Sequence, residues 1–202
     1  MPKIVDCEQR SDEWARLHIG TVTASRAHRL LTKAKRKTLI QELTAERLAR
    51  DPELPDELFS KHVRWGIRQE KFAVARYAFE KNVEVEHCGF MWGDDLEGWA
   101  GYSPDGLVEQ DGLIETKCPS SRVHVSYFQD GPPGEYKAQM QFGLLISRRE
   151  WCDFVSFDPR LTTDLLILKQ WRDKDMLDAL KSGLDEVIAG VETTINTIRS
   201  TF

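Results

Sequence analysis

Two short stretches hold side chains able to act on a phosphodiester: Ser103-Pro104-Asp105-Gly106 and Ile114-Glu115-Thr116-Lys117. Residues two apart in a strand point to the same face, so Glu115 and Lys117 share one side of a strand over 113–117. Asp111-Gly112 is a hairpin signal that folds this strand onto another over 106–110 and brings Asp105 towards that side. Two carboxylates and an ammonium then converge. Asp105 and Glu115 offer hard oxygen ligands matched to Mg²⁺ or Mn²⁺. Such an ion polarises a scissile phosphate and lowers the pKa of bound water. Lys117 can orient or activate that water, or stabilise the charge that builds on the phosphorane. The alternative is a surface Glu-x-Lys pair beside a turn, and three residues alone do not separate the two.

The elements that must position this cluster follow from periodicity. Thr21 to Ser25 is extended and ends at Ser25 as N-cap of a helix starting near Arg26; a second helix covers 37–50. Asp51 to Asp56, with two prolines, is a surface connection. A helix over 60–81 places Val63, Ile67, Val74, Tyr77 and Ala78 on one stripe, with Glu70 in its middle. A carboxylate there is costly unless paired, protonated or bound to a cation. Trp65, Phe72 and Phe79 recur on nearly the opposite side, which implies a helix covered on both faces. A period-two segment follows at 83–87, Phe90 and Trp92 continue beyond Gly89, and 98–102 is a short apolar piece. Later come a helix over 135–147, strands over 151–157 and 165–171, and a long terminal helix. Its stripe, Leu177, Leu180, Leu184, Val187, Val191, Ile195 and Ile198, is expected to pack against the sheet. Helices first, then strands interleaved with helices, make an α/β fold with a central mixed β-sheet flanked by helices, a helical N-terminal part and a long C-terminal helix.

The 202 residues fit a single domain spanning 1–202. Apolar residues (41%) and charged residues (30%) are ordinary for a globular chain. Cys7, Cys88, Cys118 and Cys152 form no Cys-x-x-Cys pair, which disfavours zinc and redox functions and points to free thiols in a reducing cytosol. No apolar run is long enough for a membrane span or a secretory signal. The net charge of −5 argues against a uniformly basic coat. Yet residues 14–41 carry seven Lys and Arg and no acid, leaving −12 elsewhere (21 basic against 33 acidic residues). Arg26, Arg29, Lys33, Lys35, Arg36 and Lys37 crowd this segment, either as a solvated helix end or as a phosphate-facing patch.

Pro104-Asp105 with Glu115-Thr116-Lys117 matches the PD-(D/E)xK nuclease pattern, that of restriction-endonuclease-like cores. More specifically, the chain resembles the phage lambda exonuclease / YqaJ family of alkaline exonucleases. The matching blocks are WARLHIGTVTAS (14–25), WGIRQE (65–70), SPDGL (103–107), ETKCP (115–119), AQMQ (138–141) and FDPR (157–160), in family order. The resemblance implies a Mg²⁺-dependent exonuclease, using two ions, that degrades one strand of linear double-stranded DNA from its 5′ end. It would leave a 3′ single-stranded tail for a single-strand annealing protein in phage recombination. By resemblance, Asp105, Glu115 and the Thr116 carbonyl are metal ligands, Lys117 is the catalytic lysine and Glu70 an additional acid near a second metal. Gln139 is an active-site glutamine, with Gln141 as a rival. Ser25, Ser103 and Arg122 match a 5′-phosphate pocket, while His18 stands where family members carry an arginine, with Arg16 as a substitute. A neutral imidazole is the weaker phosphate anchor. The family forms a homotrimeric ring threaded by DNA, which the segment 14–41, with Arg26, Lys33, Lys35 and Arg36, would line. The implied setting is a bacterial cytoplasm, with a phage or prophage gene. Two other readings are an endonuclease of restriction or resolvase type on the same core, and a DNA-end-binding recombination scaffold without turnover.

Overall fold

A computed structural model describes residues 1–51 and 61–201, with the side chains of 61–63 outside the description. The connection expected over 52–56, residue Ser60 and the side chain of Val63 fall outside the described residues. The strands are β1 (Lys3–Val5), β2 (Val22–Thr23), β3 (Val85–Glu86), β4 (Phe90–Trp92), β5 (Ala100–Tyr102), β6 (Gly106–Val108), β7 (Gly112–Lys117), β8 (Trp151–Phe157) and β9 (Leu165–Trp171). The helices are α1 (Asp12–His18), α2 (Lys33–Leu48), α3 (Lys61–Lys81), α4 (Ser121–Asp130), α5 (Gly134–Ser147) and α6 (Lys174–Ser200). A 3-10 helix covers Ala24–Leu31. Among the described residues, no helix is long and apolar enough to cross a membrane.

The α/β architecture matches the expectation, with one difference: the strands form two mixed sheets. One has the order β1-β4-β5-β2, the other β3-β6-β7-β8-β9. The break falls at Ser103-Pro104-Asp105, between β5 and β6. Proline cannot donate to a ladder, so pairing stops there and the chain crosses from one sheet to the other. Asp105 therefore sits on the crossing itself. Gln9 Nε2 ties the crossing down by donating to the Pro104 and Cys88 carbonyls, each at 2.9 Å.

The β6–β7 hairpin forms, but Asp111-Gly112 is not its two-residue turn. Val108 pairs with Gly112, so the loop is Glu109-Gln110-Asp111, with Glu109 at φ +50°. Gly112 belongs to the strand because the Trp151 ring packs where a Cβ would stand. β7 then pairs in parallel with β8, Glu115 opposite Phe154 and Lys117 opposite Ser156, and the crossover between them carries α4 and α5. Helix α4 has no counterpart in the sequence reading, and neither do α1 and β1.

Three helix expectations need correction. Ser25 does not cap a helix: it lies inside the 3-10 segment, whose N-cap Thr23 makes no side-chain capping bond. On the second face of helix α3 only Trp65 is covered, by the Arg160 guanidinium. Ala73 and Tyr77 are buried against the second sheet, whereas Phe72 and Phe79 are 52% and 82% exposed. Helix α6 buries Leu177, Leu180, Leu184, Val187 and Val191, but chiefly against α2, the 3-10 helix and α5. The sheet face it was expected to cover is already taken by α5, whose Met140, Phe142 and Leu144 are fully buried. Gly183 lets α6 approach the backbone of Leu30 so closely that a Cβ would collide with it.

Candidate active site

At the C-terminal end of β7 an open cleft of about 380 Å³ is lined by Gly66, Ile67, Glu70, Thr116, Lys117, Cys118, Pro119 and Tyr136. Three elements build it: β7 from the sheet, α3 across one face and α5 across the other. Glu115 is 2% exposed. Its Oε1 accepts from the Lys117 ammonium, and from Gln139 Nε2 at 2.7 Å. Asp105 Oδ2 accepts from the Thr116 backbone N–H at 2.6 Å and the Thr116 hydroxyl at 2.8 Å, so the first acid is clamped to the strand that carries the second. Glu70 reaches the cleft from α3, where its Oε2 accepts from the Arg10 guanidinium. The costly carboxylate on an apolar stripe is thus paired.

The electrostatics follow from crowding acids in a desolvated place. Burial, with Asp105 and Glu70 nearby, outweighs Lys117 and pushes the Glu115 carboxyl up to about 7. Glu70 is raised too, first by burial and then by Asp105, against the pull of Arg10. Burial alone would lower Lys117, but Glu115 and Asp105 overcome it and hold the ammonium charged, well above the usual lysine range. Its Nζ also stands 4.7 Å from the centre of the Tyr136 ring. Acids pushed upward this way are under-neutralised, and a divalent cation would restore their charge balance. The carboxylate oxygens of Asp105, Glu115 and Glu70 are hard donors of the kind that Mg²⁺ or Mn²⁺ takes. Among the described residues no three His, Cys, Asp or Glu are gathered into a ready cage. Lys117 and Arg10 hold one carboxylate each in its place.

The structure brings Asp105, Glu115, Thr116, Lys117, Glu70 and Gln139 together. It separates Gln139 from its rival: the Gln141 Nε2 donates to the Trp171 carbonyl at 2.7 Å, and its Oε1 accepts from the Asp173 backbone at 2.9 Å, so Gln141 fastens the β9–α6 junction. Of the other residues, Ser103 and His18 meet through Trp14. Ser103 Oγ accepts from Trp14 Nε1 at 2.6 Å and donates to the Gly89 carbonyl at 2.8 Å. His18 is half-buried, its ring 3.8 Å from that of Trp14 and its Nδ1 2.8 Å from the Trp14 carbonyl. Burial, opposed by that bond and aided by Arg26, lowers its pKa, so the imidazole is neutral at pH 7. Ser25 is exposed, 3.2 Å from the Thr23 hydroxyl, and Arg122 stands exposed on the first turn of α4. Arg16 is exposed on α1.

The basic segment is partly neutralised within the fold. Arg26 makes a two-pronged pair with Glu46, Arg29 with Glu42, and Arg36 pairs with Glu186 at 2.9 Å. Arg26 and Arg36 are therefore not free phosphate ligands in this state, while Lys33, Lys35 and Lys37 are exposed. Arg10 and Tyr136 escaped the sequence reading. Arg10 comes from 60 residues before Glu70, and no spacing signals that contact. Tyr136 stands three residues before Gln139 on the same face of α5, which was a usable clue.

The YqaJ-like viral recombinase domain matches residues 13–150. Among solved structures, the alkaline exonuclease LHK-Exo from Laribacter hongkongensis is 33% identical over 95% of this chain and 97% of its own, with a TM-score of 0.86. The same values hold for LHK-Exo in complex with dAMP. A phage-related exonuclease from Haemophilus somnus 129PT shares the fold at 15% identity, with a TM-score of 0.62 over 91% of this chain and 99% of its own. No curated protein gives a significant match. With the domain matched over more than half of its length and a one-third-identical exonuclease superposing end to end, the chain belongs to the YqaJ-like, lambda-exonuclease-like family.

Proposed function

We propose that the protein is a metal-dependent 5′-to-3′ exonuclease on linear double-stranded DNA, leaving 3′ single-stranded tails for a single-strand annealing partner. The observation that carries this reading is the buried Glu115 held between Lys117 and Gln139, with Asp105 clamped beside it by Thr116. LHK-Exo has been solved with dAMP, a nucleotide of the kind such hydrolysis would release, which supports DNA as the substrate.

Asp105, Glu115, the Thr116 carbonyl and Glu70 would hold one or two Mg²⁺ ions, with Mn²⁺ as a substitute. When bound, these would polarise the phosphate and lower the pKa of the attacking water. The chain's own residues do the rest. Lys117, kept protonated by the acids around it, places a positive charge where negative charge grows on the phosphate. Gln139 fixes the rotamer of Glu115, and Thr116 that of Asp105, so neither acid reorganises during the reaction. Ser25, Ser103, Arg122 and His18 would seat the terminal 5′ phosphate, and the Trp14 bond to Ser103 keeps that hydroxyl in place.

The protein would act as a homotrimeric ring in the bacterial cytoplasm, with the exposed lysines of α2 facing the duplex. The test is a linear duplex labelled separately at each end and strand, with 5′-phosphate and 5′-hydroxyl forms, digested in Mg²⁺ beside covalently closed circular DNA. Label released first from 5′ ends, with the circle intact, is expected. Nicking of the circle would assign an endonuclease instead, and retention of ends without release a scaffold.

A further inference from the structure

Resting on the nuclease reading, we infer that the outer face of α3 binds single-stranded DNA, the strand left when its complement is removed. Arg64, Arg68, Lys71, Phe72 and Phe79 lie at three-, four- and seven-residue spacing on one side of the helix, opposite the buried Ala73 and Tyr77. Phe72 is 52% exposed and Phe79 82%, and Lys71 Nζ stands 5.1 Å from the Phe72 ring centre. Arg64, Arg68 and Lys71 are exposed and form no ion pair with a described residue. Of the acids on the helix, Glu70 is turned to the cleft and paired with Arg10, and Glu80 is engaged by Arg76 on the flank at 2.8 Å.

Two exposed phenylalanines among cations mark a binding face, and pairing of this face with its own copy would oppose like charges; a contact with a different surface of a neighbouring subunit in a ring is the outcome that sedimentation separates below. Aromatic faces interleaved with unpaired cations suit an unstacked polynucleotide: bases stack on the rings while phosphates meet the cations. A duplex does not fit as well, because its base faces are already stacked inside. The face is also in the right place. Ile67 lines the cleft from the same helix, and Arg64 and Lys71, three residues before and four after it, are its neighbours on the helix surface, so the retained strand parts from its hydrolysed complement at the cationic edge of the face.

The test measures binding of 3′-labelled, 5′-hydroxyl dT12 by fluorescence anisotropy in EDTA, with a blunt 12-base-pair duplex as comparison. Phe72→Ser/Phe79→Ser should weaken dT12 binding about tenfold or more and leave duplex binding within about twofold. Arg64→Gln/Arg68→Gln should also weaken it and reduce the log–log salt slope by about 1.4, at about 0.7 per lost phosphate contact on a single strand. Both pairs replace exposed side chains, and circular dichroism checks that the variants fold. Unchanged dT12 affinity in both variants overturns the inference, as does a loss that sedimentation traces to a dissociated oligomer. Digestion of linear duplex in Mg²⁺, run separately, tests the nuclease reading: its failure alongside a positive dT12 result would remove that reading and leave the binding face.

Discussion

Glu115 shows how a single position couples folding to chemistry. Its carboxylate is nearly out of water, and among the described residues Lys117 balances its charge while Gln139 donates it a hydrogen bond. Replacing Lys117 by Ala removes the ammonium and leaves Glu115 to protonate instead of ionising. Asp105→Ala removes the acid that Thr116 holds with two hydrogen bonds. Each variant is expected to lose at least about a hundredfold in hydrolysis of linear duplex in Mg²⁺. Binding of DNA ends and far-ultraviolet circular dichroism should change little, and full activity in either variant would remove the assignment. His18 sets a second expectation. Its imidazole is neutral at pH 7, so it offers a phosphate no charge-assisted bond. His18→Arg should raise the preference for 5′-phosphate over 5′-hydroxyl ends about tenfold, the difference between a neutral and a charged hydrogen bond. Competition between the two substrates in one digestion reads this ratio directly.

Elements are fastened around the site by a few polar staples, of which Asp158 is the most instructive. It is fully buried at the end of β8 and accepts from the Arg160 backbone at 3.1 Å and from Arg160 Nε at 2.6 Å and Nη2 at 2.9 Å. The Arg160 guanidinium also donates to the Pro119 carbonyl just past β7 and covers the Trp65 ring of α3 at 4.4 Å. One side chain thus joins β8, the exit of β7 and the helix that carries Glu70. Burial would raise the Asp158 carboxyl, but the bonds from Arg160 and Ser121 prevail and hold it down at about 2. A depressed folded-state value stabilises the fold above the ordinary carboxylate pKa, and this is lost as pH falls from about 4 through about 2. With half-exposed Arg160 as the partner, the contribution is roughly 1–2 kcal/mol. Urea unfolding should therefore show Asp158→Asn less stable than the parent at pH 5, with the gap narrowing by pH 3. A constant gap across that range would assign the cost to packing instead of charge.

Charge over the molecule is divided in a way the net value of −5 conceals. Arg26, Arg29 and Arg36 neutralise Glu46, Glu42 and Glu186 and so fasten the 3-10 helix, α2 and α6 to one another. What remains outward at the start of α2 is a lysine cluster, Lys33, Lys35 and Lys37. If two of these meet phosphates of the duplex, Lys33→Gln/Lys35→Gln should lower the log–log salt slope of duplex binding by about 1.8. Turnover on saturating DNA at low salt should be unaffected. A slope equal to that of the parent protein would place the duplex elsewhere on the molecule.

Asp105, Glu115 and Lys117 stand out in the sequence because metal-assisted phosphodiester chemistry uses acids and an amine at short spacing, while Glu70 stands out only as a carboxylate on an apolar stripe, and the site roles of all four come from the resemblance. The long elements, α3, α5, β8, β9 and α6, were legible for a similar reason: periodicity records which face is buried. Local pattern, however, records only that a face is buried and not what buries it. That is why α6 could be read as covering the sheet when α2, the 3-10 helix and α5 receive it, and why Phe72 and Phe79 looked buried when they face water. The resemblance set Gln139 before Gln141 without excluding the rival; the reach from α5 to Glu115 on one side and to Trp171 on the other tells them apart. The Arg10 pair to Glu70 and the arginine pairs of the basic segment likewise depend on side chains meeting across sequence-distant elements. Such contacts are decided by packing geometry, to which a linear pattern is blind.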